Sequence, residues 1–210
     1  MSAPALRWYF DVISPFAWLQ WPRVRALATE RDVDLVPILF AAVLEARGQK
    51  GPAEIAGKRE FTYRHALWRA RRAGQPLVFP PAHPFNPLPA LRLLCAAGAS
   101  RGAVDAVMAW IWAEGRAADS ADALAPLAIR LGMRPDVVAD PAAKDALRRN
   151  TDAALAAGVF GVPTLAVGDA LFWGEDAHDF ALAVLDDPAL LDEPEMRRLG
   201  ALPIGLARGR

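Results

Sequence analysis

Cysteine is almost missing from this chain. Its 210 residues include one, Cys95, which excludes an intrachain disulfide framework and any Cys-x-x-Cys dithiol. Net charge is missing too: 24 Lys and Arg balance 24 Asp and Glu, so bulk charge draws the chain neither to nucleic acid nor to an anionic membrane. No window holds the ~18 uncharged apolar residues of a membrane span. The first residues carry Asp11 within their apolar run and no basic segment before it, unlike a secretory signal. Histidine counts three, and His65, His83 and His178 lack metal-ligand spacing to one another or to a carboxylate cluster. No internal repeat and no low-complexity linker is present. The expectation is a soluble protein of the reducing cytoplasm, without metal, nucleic acid or membrane as partner.

What is present is apolar residue, 54% of the chain against 23% charged, enough for a substantial core. Residues 6 to 12, "LRWYFDV", are aromatic and β-branched and read as a buried strand. An amphipathic helix follows to about Asp32, with Phe16, Leu19, Val24 and Leu27 on its apolar side. "VDLVPILF", residues 33 to 40, reads as a second strand, and Pro37 assigns it to an edge or a bulge. A helical crossover makes the two parallel.

From about residue 43 helices dominate. A Gly/Pro-broken loop precedes "GKREFTYRHALWRARRAG"; further helices are expected from near Leu88 and over 102 to 116, 120 to 132 and 141 to 157. Gly98, Gly115, Gly132 and Gly158 stand where C-caps belong, and Asp119 or Ser120 and Asp140-Pro141 where helices start. After Gly158 the strand signal returns: Thr164 to Val167 and Ala170 to Trp173 flank Gly168-Asp169 as a hairpin, before a helix from about Ala177 to Leu185. The order suits a helical unit, 43 to 157, inserted into an α/β unit made of 1 to 42 and 158 to 210.

Two spots carry chemistry. Ser14-Pro15 places a hydroxyl at the N-cap of the first helix with proline at its first position, a plain helix start unless the hydroxyl is used. "GVFGVPT", residues 158 to 164, sets Val162-Pro163 directly before a central strand, where proline cannot donate to the ladder; it is a candidate cis bond or an ordinary loop proline.

Together these features resemble the DsbA type of thioredoxin-like fold, α/β with an inserted all-helical domain, in which a Cys-x-x-Cys sits at the helix start facing a cis-proline. Here Ser14, Pro15, Phe16 and Ala17 hold those four places, so dithiol exchange has no sulfur to work with. Five stretches in order, "YFDVISPFAWLQ", "GKREFTYRHALWRARRAG", "HPFNPLPALRLL", "WAEGRAADSADALAPLAIRLGM" and "GVFGVPTLAVGDALFWGEDAHDF", resemble the 2-hydroxychromene-2-carboxylate isomerase family, relatives of kappa-class glutathione transferases.

The resemblance implies a glutathione-dependent isomerase that converts 2-hydroxychromene-2-carboxylate, or a related intermediate of aromatic catabolism, to trans-o-hydroxybenzylidenepyruvate. It implies a homodimer as well. Ser14 becomes the catalytic residue that lowers the pKa of the glutathione thiol, not a serine nucleophile. Glutathione contacts fall on the main chain of Val162-Pro163, on Gly174 and Asp176 in "FWGED", on Lys58, and on Gln49, which replaces an asparagine. Asp176 also reads as a simple N-cap and Lys58 as a solvated helix-start charge. Phe16, His83, Asn86 and Trp110 are candidates for the substrate pocket; Trp68 and Trp112 join Trp110 as a possible aromatic wall, against a plain core role. Asn86 before Pro87 equally marks a turn. A kappa-like transferase or peroxidase, and a non-catalytic thioredoxin-like binding module, are the alternatives.

Overall fold

The computed structural model describes residues 4 to 205. Strand β1 (Leu6–Phe10), helix α1 (Pro15–Glu30) and strand β2 (Val33–Pro37) open the chain. Helices α2 (Phe40–Ala46), α3 (Lys58–Arg72), α4 (Leu88–Ala96), α5 (Arg101–Met108), α6 (Ala121–Arg130) and α7 (Pro141–Ala156) follow. The hairpin β3 (Thr164–Val167) and β4 (Ala170–Trp173) then leads to α8 (His178–Asp186) and α9 (Pro194–Gly200). The sheet runs β2-β1-β3-β4, with β1 parallel to β2 and antiparallel to β3. Pro37 closes an edge strand, where its missing N–H interrupts no inner ladder.

Alternation along β1 divides the core. Leu6, Trp8 and Phe10 face the helical side, where Trp8 stacks on Phe10 at 4.2 Å and on Trp21 at 5.4 Å. Tyr9 faces the other way, into a smaller cluster with Ile38, Val43, Val159 and Val162. The larger cluster is continuous from Trp8 and Trp21 into Leu91, Met108, Ile111, Leu124 and Leu127 of the helical segment. Residues 1 to 3 and 206 to 210, the ends of the expected α/β unit, lie outside the described residues.

Three boundaries depart from expectation for visible reasons. Strand β1 stops at Phe10, because the Val12 carbonyl is taken by the Trp112 indole at 2.9 Å and the Ile13 carbonyl by His83 at 2.8 Å, leaving no ladder to continue. The helix expected over 102 to 116 is α5 plus a π-helical turn, Ala109–Ala113, which buries Trp110, Ile111 and Trp112 together. The second strand, expected over 33 to 40, ends at Pro37, and Phe40 instead opens α2, its N–H drawn to the Asp11 carboxyl at 2.9 Å. The hairpin falls on the strands named, and Gly98 and Gly158 close α4 and α7 at φ 63° and 86°. Among the described residues no helix is long and apolar enough to cross a membrane.

Candidate functional site

Ser14 caps α1 with extended backbone, φ −88° and ψ 116°, and Pro15 occupies the first helical position. Its Oγ accepts from the Ala17 N–H at 3.3 Å, and its own proton is committed to no acceptor among the described residues. The Phe16 N–H, in the same first turn, also finds no partner there. Two donors therefore stand free at the positive end of a helix dipole.

The turn from Asp11 to Ser14 is framed from three directions. Asp11 is fully buried; its Oδ1 accepts from the Ile13 N–H at 3.0 Å and its Oδ2 from the Phe40 N–H at 2.9 Å, joining the turn to α2. Burial pushes the Asp11 carboxyl up to about 7 against those two bonds, which favour its ionised form. Trp112 and His83 bind the turn's two free carbonyls, as described above.

This turn forms one wall of a cleft of about 530 Å³. The other walls come from Phe40, Ala41 and Leu44 of α2, the segment from Gln49 to Glu54, Thr62 and Tyr63 of α3, His83 to Phe85, and Phe160 to Val162 with Trp173. Phe160 and Trp173 meet edge to face at 5.6 Å and are both exposed. The Val162-Pro163 bond is cis, as is His83-Pro84. Neither the N–H nor the carbonyl of Val162 has a hydrogen-bond partner among the described residues. A main chain in that state can pair with an extended peptide as an added strand.

Ser14, Phe16, Gln49, His83 and Val162 thus meet around one space, with Pro163 next to it. The other candidates sit elsewhere. Lys58 is exposed at the first position of α3 and does not line the cleft, whereas Lys50 does. Gly174, at φ 101°, donates to the Pro163 carbonyl at 2.9 Å, and the Asp176 carboxylate folds back over it where a Cβ would stand. Asp176 is exposed and caps nothing, because α8 begins at His178 behind Ala177. Asn86 and Trp110 do not line this cleft either. Asn86 is exposed, its Oδ1 accepting from the Leu88 N–H at 3.1 Å, a turn that starts α4. Trp110 is buried in the helical core, its indole donating to the Ala117 carbonyl at 2.9 Å beneath the Arg116 guanidinium. Trp68 is 54% exposed on α3, outside the cleft, and Trp112 holds the turn from behind.

Sequence reasoning passed over Asp11, Tyr63 and Lys50 as site residues. Asp11 left a usable signal, a carboxylate inside an apolar run, whereas Tyr63 and Lys50 carry no mark in sequence.

The chain matches the DSBA-like thioredoxin domain family over residues 5–186. It is 32% identical over 178 residues to 2-hydroxychromene-2-carboxylate isomerase of Pseudomonas putida, across 80% of this chain and 87% of that one. The protein of the same name from Pseudomonas sp. (strain C18) is 30% identical over 177 residues, across 80% of this chain and 84% of its own. A solved structure of 2-hydroxychromene-2-carboxylate isomerase superposes with a TM-score of 0.73 at 26% identity, over 91% of this chain and 98% of that one. Fold and relatives agree, and the chain belongs to the 2-hydroxychromene-2-carboxylate isomerase family of DSBA-like thioredoxin proteins.

Proposed function

We propose that this protein is a glutathione-dependent isomerase acting on 2-hydroxychromene-2-carboxylate or a related intermediate of aromatic catabolism, with Ser14 as the thiol-activating residue. The observation that carries the reading is the pair of free donors, the Ser14 O–H and the Phe16 N–H, at a helix N-terminus on an apolar cleft. When bound, glutathione would supply a thiolate nucleophile that is regenerated at the end of the cycle. A free thiol of pKa about 8.5 is only a few per cent ionised at pH 7. A helix N-terminus favours an anion by about 0.3 to 2 kcal/mol, and at 1.36 kcal/mol per unit the dipole alone moves the thiol by up to about one and a half units.

The chain's other residues fit the remainder of a tripeptide. The unpaired main chain of Val162 suits its backbone, and Gln49 and Lys50 offer an amide and a cation to its polar ends. With Lys58 and Asp176 outside the cleft, Lys50 is the cation we assign to a peptide carboxylate. Phe16, Phe40, Phe85, Phe160 and Trp173 give a flat aromatic substrate apolar surface. A homodimer and a cytoplasmic setting accompany this reading through the family resemblance.

Turnover of 2-hydroxychromene-2-carboxylate, followed by its change in absorbance with and without glutathione, tests the reading. Glutathione-dependent equilibration supports it. Net consumption of glutathione, with a conjugate formed from chlorodinitrobenzene, would replace it with the transferase reading. Glutathione binding without turnover across a broad substrate panel would leave a binding module.

A further inference from the structure

The peptide group joining Ile13 to Ser14 is held at both ends. Its N–H donates to the Asp11 carbonyl at 3.1 Å, and its carbonyl lies 2.8 Å from Nε2 of His83. A carbonyl only accepts, so Nε2 carries the proton. Burial, with the nearby Arg59 cation, holds His83 below the ordinary histidine range despite its bond to Ile13, so the ring is neutral at pH 7 and Nδ1 is an acceptor.

The Tyr63 hydroxyl lies 2.7 Å from that Nδ1 and 2.8 Å from the His83 carbonyl. It has one proton for two acceptors. Among the described residues Nδ1 has no other donor, whereas the His83 carbonyl already accepts from Nη2 of Arg59 at 2.9 Å, so the phenol proton goes to the ring, while Nε of Arg59 donates to the Tyr63 oxygen at 3.2 Å. Donors therefore run in one direction, from the Arg59 guanidinium through Tyr63 and His83 to the residue before Ser14. The rings of Phe79 at 5.8 Å and Trp112 at 5.6 Å hem the imidazole in. With the preceding peptide plane fixed, Oγ of Ser14 keeps the orientation that its cap geometry gives it.

We propose that His83 is a positioning residue for Ser14, acting through the Ile13–Ser14 peptide, and that Tyr63 holds it in the tautomer this requires; the inference rests on Ser14 being the thiol-activating residue. Nitrogen NMR of the His83 ring in the intact wild type reads the tether directly. The expected state at pH 7.5 is a proton on Nε2 and none on Nδ1, with Tyr63→Phe increasing the other tautomer. Kinetics read its consequence. His83→Met, which fills the space without a donor, should lower kcat roughly tenfold or more with KM within about twofold, as misplacement of a reacting group does. His83→Gln, whose amide nitrogen can reach the Ile13 carbonyl, should recover most of that loss. A proton on Nδ1 in the wild type, or equal impairment of the Met and Gln variants, overturns the proposal. Absence of any glutathione-dependent turnover in the wild type would remove the proposed function instead, and the NMR tautomer would then decide the tether alone.

Discussion

Two buried groups should give this protein opposing pH dependences that cancel until one is removed. Asp11 titrates at about 7 in the fold, against 3.8 for an ordinary carboxyl, because burial penalises its charge. The folded state thus holds a proton that the unfolded chain has lost; this contribution to stability is complete below pH 3.8 and gone above pH 7. His178 is 1% exposed, with Nδ1 facing Gln20 Nε2 at 3.4 Å, and burial, helped by Arg23, lowers it from 6.5 to about 4. Its contribution is complete above pH 6.5 and lost as pH falls to 4. Between pH 4 and 6.5 the two slopes are each about 1.4 kcal/mol per pH unit and opposite in sign. Asp11→Asn should therefore gain on the wild type as pH rises, by about 3 kcal/mol across that window, from a starting loss of about 1 to 3 kcal/mol where its amide meets an N–H. His178→Gln should gain on the wild type as pH falls, by a similar amount. Urea unfolding followed by tryptophan fluorescence at half-unit pH steps measures both. An Asp11→Asn curve parallel to that of the wild type would refute the burial argument for this carboxyl.

Other consequences are quicker to check. Trp112→Phe leaves the buried Val12 carbonyl without its donor, and should lose about 1 to 3 kcal/mol of stability and lower activity beyond what stability explains, measured by urea unfolding and initial rates. Gly161→Ala would drive a methyl into the Trp173 indole at the cleft mouth, so glutathione affinity should fall several-fold by calorimetry while the thermal midpoint moves little, since that indole is exposed and can swing. Cys95 is pushed up to about 11 by burial, so the native protein should react with Ellman's reagent far more slowly at pH 7.5 than the same chain in urea.

The parts of the fold visible in sequence are those set by neighbours along the chain. The hairpin at Gly168-Asp169, the cap at Ser14 and the cis bond at Val162-Pro163 each depend on a few adjacent residues, and each stands where expected. What escaped reading depends on contacts across the chain. Trp110 and Trp112 are two residues apart, yet the π turn gives one a core role and the other a bond to the site turn, 100 residues away. His83 was visible as a candidate, but its partners Ile13 and Tyr63 come from separate segments. Lys58 and Asp176 were carried from the family pattern, whereas Lys50, which lines the cleft, is placed there by the path of a loop.

The central claim is that Ser14 lowers the pKa of a glutathione thiol. Its most direct test is the thiolate absorbance of bound glutathione, followed against pH in the wild type and in Ser14→Ala, at concentrations where calorimetry shows saturation. The account predicts a thiol pKa about one unit or more below 8.5 in the wild type, returning most of the way in the variant. An unshifted pKa in the wild type, or the same shift in both proteins, would contradict it.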